Sequence, residues 1–196
     1  ILERGTHQAA GYVLPLNKSG DQWFTSEWVF RRNHLYLTPG TSPLGLRLPL
    51  SSLATKPEYG VFPVYEPDLF KKQKKLPSFK RLTNIRYKDF LANGLDHNKP
   101  KYFVRTALSA EIRDGKLYLF LPPLDSADAF LDLIASIEAT AKHLNIPVIL
   151  EGYNPPHDNR IESMKITPDP GVIEVNVHPI DNWDDLVENT LTLYDE

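Results

Sequence analysis

The stretch YFVRTALSAEIRDGKLYLFL, residues 102–121, decides the fold. At its centre Arg113-Asp114-Gly115-Lys116 places two residues that tolerate positive φ between alternating segments, a strong hairpin signal. It predicts strands over Tyr102 to Ile112 and Lys116 to Leu121, with residue 113 opposite 116. Side chains alternate with period two, so this register groups Leu108, Ala110 and Ile112 with Leu117, Leu119 and Leu121 on one apolar face. The opposite face carries Arg105, Ala107, Ser109, Glu111 and Arg113 with Lys116, Tyr118 and Phe120 and is largely polar.

Toward the C-terminus, Asp125 or Ser126 can cap a helix whose stripe is Phe130, Leu133, Ile134, Ile137, Ala141 and Leu144, with Lys142 and His143 suited to its negative end. Pro147 to Tyr153 then reads as a buried strand in which Glu151 is the only charge, and a lone buried carboxylate needs a partner or a ligand. A second hairpin is expected from Ser163 to Thr167 and Val172 to His178 around Pro168-Asp-Pro-Gly171. Alternation sets Ile173, Val175 and Val177 against Glu174, Asn176 and His178. Asp181 can cap a last helix with Trp183, Leu186, Val187, Thr190, Leu191 and Tyr194 on one side. Residues 101–196 thus read β-β-α-β-β-β-α, an α+β fold. The simplest assembly is a largely antiparallel sheet with both helices on its apolar face.

The first hundred residues are a β- and loop-rich segment. Short strand-like runs (Gly11 to Leu16, Trp28 to Phe30, His34 to Leu37, Leu44 to Leu50) are separated by Asn17 to Gly20 and Thr38 to Pro43, which read as turns. Residues 68–90 hold eight Lys or Arg against two Asp, a local +6, within a chain whose net charge is −3. This strip, with Lys71, Lys72, Lys74, Lys75, Lys80 and Arg81, reads either as a solvated loop or as a phosphate- or partner-binding surface.

The chain has 196 residues, 41% hydrophobic and 24% charged, enough for a sizeable core and incompatible with disordered or collagen-like classes. Its net acidity argues against a nucleic-acid partner. With no cysteine there is no disulfide framework and no thiolate chemistry, which suits a reducing, cytoplasmic compartment. Residues 127–150 are interrupted by Asp128, Asp132, Glu138, Lys142 and His143, so no membrane span is expected, and no signal peptide is evident. A start at Ile1 and a stop at Glu196 inside a helical pattern suggest a fragment of a longer protein.

The polar faces are where chemistry is to be sought. Glu111 can form a surface pair with Arg113 or Lys116, and Glu174 with Lys165 if the second turn closes a four-residue loop. Glu174, Asn176 and His178 form one row, but at roughly 3.3 Å per residue the row is too long for one ion. Glu174 and Asn176 with a carboxylate from another strand make a more realistic set, whose oxygens favour magnesium or manganese over zinc. Nucleophile-elbow, P-loop and dinucleotide-binding motifs are lacking. His157 beside Asp158 could be a base and its orienter or a solvated loop pair, and Trp23, Trp28 and Trp183 read as core or edge anchors.

Several segments then become recognisable: Gly11-Tyr-Val-Leu-Pro-Leu16, Thr41-Ser-Pro-Leu-Gly-Leu-Arg-Leu-Pro-Leu50, Val104-Arg-Thr-Ala-Leu108, Tyr118-Leu-Phe-Leu-Pro-Pro123, Glu151-Gly-Tyr-Asn-Pro-Pro156 and Thr167-Pro-Asp-Pro-Gly-Val-Ile-Glu-Val-Asn-Val-His-Pro179. Together they resemble a bacterial amidoligase family of unknown function, found C-terminal to transglutaminase-like domains. The resemblance implies the glutamine synthetase-like carboxylate-amine ligase superfamily. Pro170-Gly-Val-Ile-Glu-Val-Asn176 is similar to the Pro-Gly-x-x-Glu-aromatic-Gln segment of glutamine synthetases, which gives Glu174 the role of a magnesium ligand. Glu111 resembles the superfamily's first metal-binding carboxylate, although its Glu-x-Glu spacing is absent, and Glu151 is a third candidate. Arg105, Arg160 and His178 are the candidate nucleotide- or substrate-binding residues, a guanidinium fork being suited to phosphate or carboxylate. The family's downstream Thr-Gly-Thr-Gly-Gly-Gly-Asn-His stretch, which resembles a nucleotide-contacting segment, is missing.

The expectation is a fragment of an ATP- and Mg2+- (or Mn2+-) dependent ligase that joins a carboxylate and an amine substrate through an acyl phosphate, inactive as an isolated fragment. One alternative is a noncatalytic substrate- or partner-binding module serving a transglutaminase-like domain in the same polypeptide. A metal hydrolase using His178 as base is a third reading.

Overall fold

The computed structural model of the chain describes residues 2–4, 8–20, 22–30, 38–39, 46–47, 50, 53–54, 74–78, 80 and 103–195. It forms two compact units, Ile1–His157 and Asp158–Glu196, each described by itself. The α+β reading holds: among the described residues, two helices accompany several strand pairs.

In the first unit a five-stranded sheet runs in the order β1 (Leu2–Arg4), β2 (Gln8–Pro15), β9 (Ala107–Arg113), β10 (Lys116–Leu121) and β11 (Val148–Gly152). Its centre is the expected hairpin, with Arg113 opposite Lys116 and Ser109 opposite Phe120. Asp114 and Gly115 both take positive φ, +50° and +74°, as a two-residue turn matched to strand twist requires. Gly11 of β2 sits opposite Glu111, so two segments far apart in sequence meet at the hairpin. β11 pairs with β10 in parallel, so the sheet is largely antiparallel with one parallel edge. The 18-residue helix α1 (Ala127–Leu144) carries the chain back to the start of the sheet, so the next strand runs the same way as β10.

The helix begins where the sequence allows it. Ser126 is the N-cap, its Oγ accepting from the Ala129 N–H at 3.2 Å, and Asn145 closes the other end in the left-handed conformation, with the Ile146 N–H donating to the Ala141 carbonyl. Leu121, Leu124, Ala129, Leu133 and Ile137 form the core, with Leu108, Leu119, Phe130, Ile134, Val148 and Trp23 packed against it. This is the expected contact between leucine face and helical stripe. One helix covers only part of the face, however: Tyr12, Leu14 and Ile112 remain exposed.

Three smaller pairs complete the described part of this unit. β3 (Asn17–Ser19) pairs with β4 (Gln22–Phe24), so Asn17 to Gly20, expected to be a turn, is mostly strand, with only Gly20 turning at φ +58°. β5 (Val29–Phe30) pairs with β8 (Leu53–Ala54), and β6 (Thr38–Pro39) with β7 (Leu46–Arg47). Thr38–Pro39 is therefore strand rather than turn. His34 to Leu37 and all of the basic strip at 68–90 except residues 74–78 and 80 lie outside the described residues.

In the second unit β12 (Lys165–Asp169) and β13 (Val172–Asn176) form a two-stranded sheet of their own, followed by α2 (Trp183–Asp195). The turn is Pro170-Gly171 rather than a four-residue loop: proline presets one φ and Gly171 supplies the other at +82°. Register therefore slips by two, leaving Lys165 opposite Asn176 and Glu174 opposite Thr167. The helix starts one residue later than expected, with the Asn182 Oδ1 accepting from the Asp185 N–H at 2.9 Å. None of its residues is buried, and Trp183 is 73% exposed rather than an anchor. A unit of about 40 residues is too short to enclose a core of its own.

Candidate functional site

The face of the central sheet turned away from α1 carries the candidate site. On β9 the residues of this face, Ala107, Ser109 and Glu111, are more deeply buried than the leucine side, and Val13 and Gly11 of β2 and Phe120 and Tyr118 of β10 stand beside them in the sheet. Glu111 retains 5% of its exposure. Glu151 lies opposite Phe120 from the other side of β10, so both carboxylates stand on one face with one strand between them.

Arg113 spans that gap. Its Nη2 lies 2.5 Å from Oε2 of Glu151, and its Nε lies 3.9 Å from Oε2 of Glu111. The guanidinium carbon stands 3.7 Å from the centre of the Tyr118 ring, within cation–π range. Nε is buried and has no hydrogen-bond partner among the described residues. Beyond this trio, Phe120 and Tyr153 meet edge to face at 6.1 Å. Among the described residues the arrangement brings together two carboxylates, a guanidinium and an aromatic floor. Arg113 and Tyr118 were not singled out from sequence. The signal was Glu111-x-Arg113, which alternation places on one face but which reads equally well as a surface pair.

The remaining candidates fall elsewhere. In the second unit Asn176 Nδ2 donates to Glu174 Oε1 at 2.8 Å, so these two are adjacent as the i, i+2 spacing requires, while His178 lies beyond the end of β13. Arg160 grips Asp158 through Nε at 2.8 Å and Nη2 at 2.7 Å, and its backbone N–H donates to the same carboxylate. That fork occupies the Asp158 oxygens weighed as an orienter for His157. Arg105 is exposed, its guanidinium donating to the Leu50 carbonyl at 3.0 Å.

Among the described residues no group of three or more His, Asp or Glu stands close enough to hold a metal ion. The donor chemistry nevertheless suits a hard cation. Magnesium is commonly held by one or two carboxylates and completed by water and substrate phosphate, and Glu111 with Glu151 supplies two. Sequence reading also missed Asp132, on the far side of α1, whose carboxylate accepts from Lys18 Nζ at 2.5 Å and from the Trp23 indole at 2.9 Å. Trp28 likewise anchors through its indole, donating to the Val104 carbonyl at 2.7 Å.

An α+β domain with a paired-carboxylate sheet face is the class that these features define. The chain belongs to the family described as "Putative amidoligase enzyme (DUF2126)", whose model matches residues 1–196. No curated protein and no solved structure matches it. No helix among the described residues is long and apolar enough to cross a membrane.

Proposed function

We infer that the chain is part of an ATP- and Mg2+-dependent carboxylate-amine ligase of the glutamine synthetase-like type, acting in the cytoplasm. Family membership supports the ligase class, and one observation carries the site: Glu111 is buried on a sheet face where Glu151 reaches the same guanidinium. Burying a carboxylate is unfavourable unless it is paired or ligated.

In the reaction proposed, a substrate carboxylate oxygen attacks the γ-phosphorus of ATP, the bond to the bridging oxygen breaks and ADP leaves. The amine nitrogen then attacks the acyl carbon, loses a proton and expels phosphate. A bound Mg2+ would neutralise charge on the phosphoryl group. Glu111 and Glu151 are its proposed holders in the first unit, and Glu174 with Asn176 is separately proposed as a metal-binding donor pair of the second unit. Arg105 and Arg160 are proposed for phosphate or carboxylate, Arg160 by exchanging its Asp158 fork for a substrate oxygen pair. His178 of the second unit is also proposed for substrate binding.

The test is calorimetric titration of Mn2+ and then Mg-ATP into the full-length protein, beside Glu111→Gln and Glu174→Gln, followed by phosphate release with panels of amines and carboxylates. The reading expects binding that weakens in both variants, and no turnover by residues 1–196 alone. Folded wild type that binds neither metal nor nucleotide would shift the assignment to a noncatalytic binding module serving a transglutaminase-like domain.

A further inference from the structure

The guanidinium of Arg113 fills the space between Glu111 and Glu151, and its two contacts are unequal. Toward Glu151 it makes a short charge-assisted hydrogen bond at 2.5 Å. Toward Glu111 it makes none: Nε stands 3.9 Å away, shut off from water and without an acceptor among the described residues. Buried donors in folded proteins are paired in the great majority of cases. Arg160 of this same chain, by contrast, makes a full fork on Asp158. Arg113 is instead held by one hydrogen bond and the Tyr118 ring, and 29% of its side chain is exposed, which leaves it a way out.

We propose that Arg113 is a displaceable counter-cation, neutralising Glu111 and Glu151 until a divalent metal ion takes them, at which point the guanidinium leaves Glu151. This rests on the reading of Glu111 and Glu151 as metal ligands. A dication that takes Oε2 of Glu151 meets the guanidinium at the oxygen it already holds, where like charges at a partly buried site repel with little screening. Metal and Arg113 therefore compete, and competing sites typically couple by about 5- to 150-fold. The released fork would then lie beside the metal, available to the phosphate or carboxylate that accompanies it.

The experiment is Mn2+ binding to the full-length protein, read by the electron paramagnetic resonance of free Mn2+, for wild type, Arg113→Gln, Arg113→Lys and Glu111→Gln. Arg113→Gln should bind about tenfold more tightly than wild type, Arg113→Lys should fall between them, and Glu111→Gln should bind more weakly. In wild type the Arg113 Nε–Hε nuclear magnetic resonance should shift on adding Mg2+, a response that Glu111→Gln should abolish. If Arg113→Gln binds no tighter while Glu111→Gln still loses affinity, displacement is wrong and the metal site stands. If neither wild type nor Arg113→Gln binds Mn2+, the metal reading fails and this proposal with it. Should Arg113→Gln not fold, Arg113→Lys carries the comparison: affinity equal to or below wild type overturns displacement.

Discussion

Replacing Asp132 by alanine tests what holds α1 behind the site. Asp132 is 4% exposed, and its carboxylate receives the Lys18 ammonium at 2.5 Å and the Trp23 indole N–H at 2.9 Å, the ammonium lying 5.5 Å from the indole ring centre. Lys18 and Trp23 stand on β3 and β4, so this carboxylate ties that hairpin to the helix. Asp132→Ala removes the carboxylate from an ammonium whose side chain is only 12% exposed. Breaking a buried pair from one side costs about 3–5 kcal/mol, and since the flexible lysine can partly reach water we expect the lower end, about 3 kcal/mol. At about 2–4 °C per kcal/mol for a chain of this size, Tm should fall by about 6–12 °C. Asp132→Asn keeps an acceptor for the indole and should lose roughly half as much. The double variant Lys18→Met, Asp132→Ala removes both charges and should recover part of the loss, the indole still lacking its Asp132 acceptor. Thermal unfolding of wild type, Lys18→Met, Asp132→Ala and the double variant, by circular dichroism and tryptophan fluorescence, gives the four corners of a double-mutant cycle. A Tm loss below about 2 °C for Asp132→Ala, or strictly additive single variants, would refute the claim that the pair is coupled and buried.

Ser126→Ala should lower stability by about 1 kcal/mol through loss of the cap to the Ala129 N–H, measured by urea unfolding. Leu133→Ala should cost about 2–5 kcal/mol in the same assay, because Leu133 lies in the core cluster between helix and sheet. Gly115→Ala should cost about 1–2 kcal/mol because φ there is +74°, with the hairpin amides exchanging faster in hydrogen exchange. Glu111→Gln should weaken Mn2+ binding at least about tenfold by calorimetry while leaving the circular dichroism spectrum unchanged.

The elements read correctly from sequence are those whose signals are local. Asp114-Gly115 fixes the β9–β10 register because two positive φ values admit one hairpin geometry, and Ser126 caps α1 through a bond three residues away. What escaped depends on segments far apart in the chain. Asp132 reads as part of a helix's solvent face until β3 and β4, more than a hundred residues earlier, cover it with Lys18 and Trp23. The parallel pairing of β11 follows from the crossover through α1 and not from its own residues. The slip at β12–β13 came from the turn: Pro168 can sit in a two-stranded ribbon, so Pro170-Gly171 takes the turn instead. Of the site, Glu111 and Glu151 were legible as carboxylates on one face, but that Arg113 reaches across β10 to join them was not. An arginine's reach is set by its rotamer, and sequence period reports only the side of the strand from which it starts.

The chain supplies its own control for reading the Arg113 cluster. Both groups involve a buried carboxylate beside a cation, so burial alone does not separate them. At Asp132 the oxygens meet an ammonium and an indole, both within hydrogen-bond distance. Beside Glu111 the Arg113 Nε stands at 3.9 Å and keeps an unused donor. An unmet buried donor costs about 1–3 kcal/mol, and a well-packed apolar face would avoid it. The leucines of the same hairpin form such a face on the side toward α1. Retaining two carboxylates and an underused arginine opposite them, over the ring of Tyr118, does not favour stability, and it fits a face whose charges are kept for a ligand.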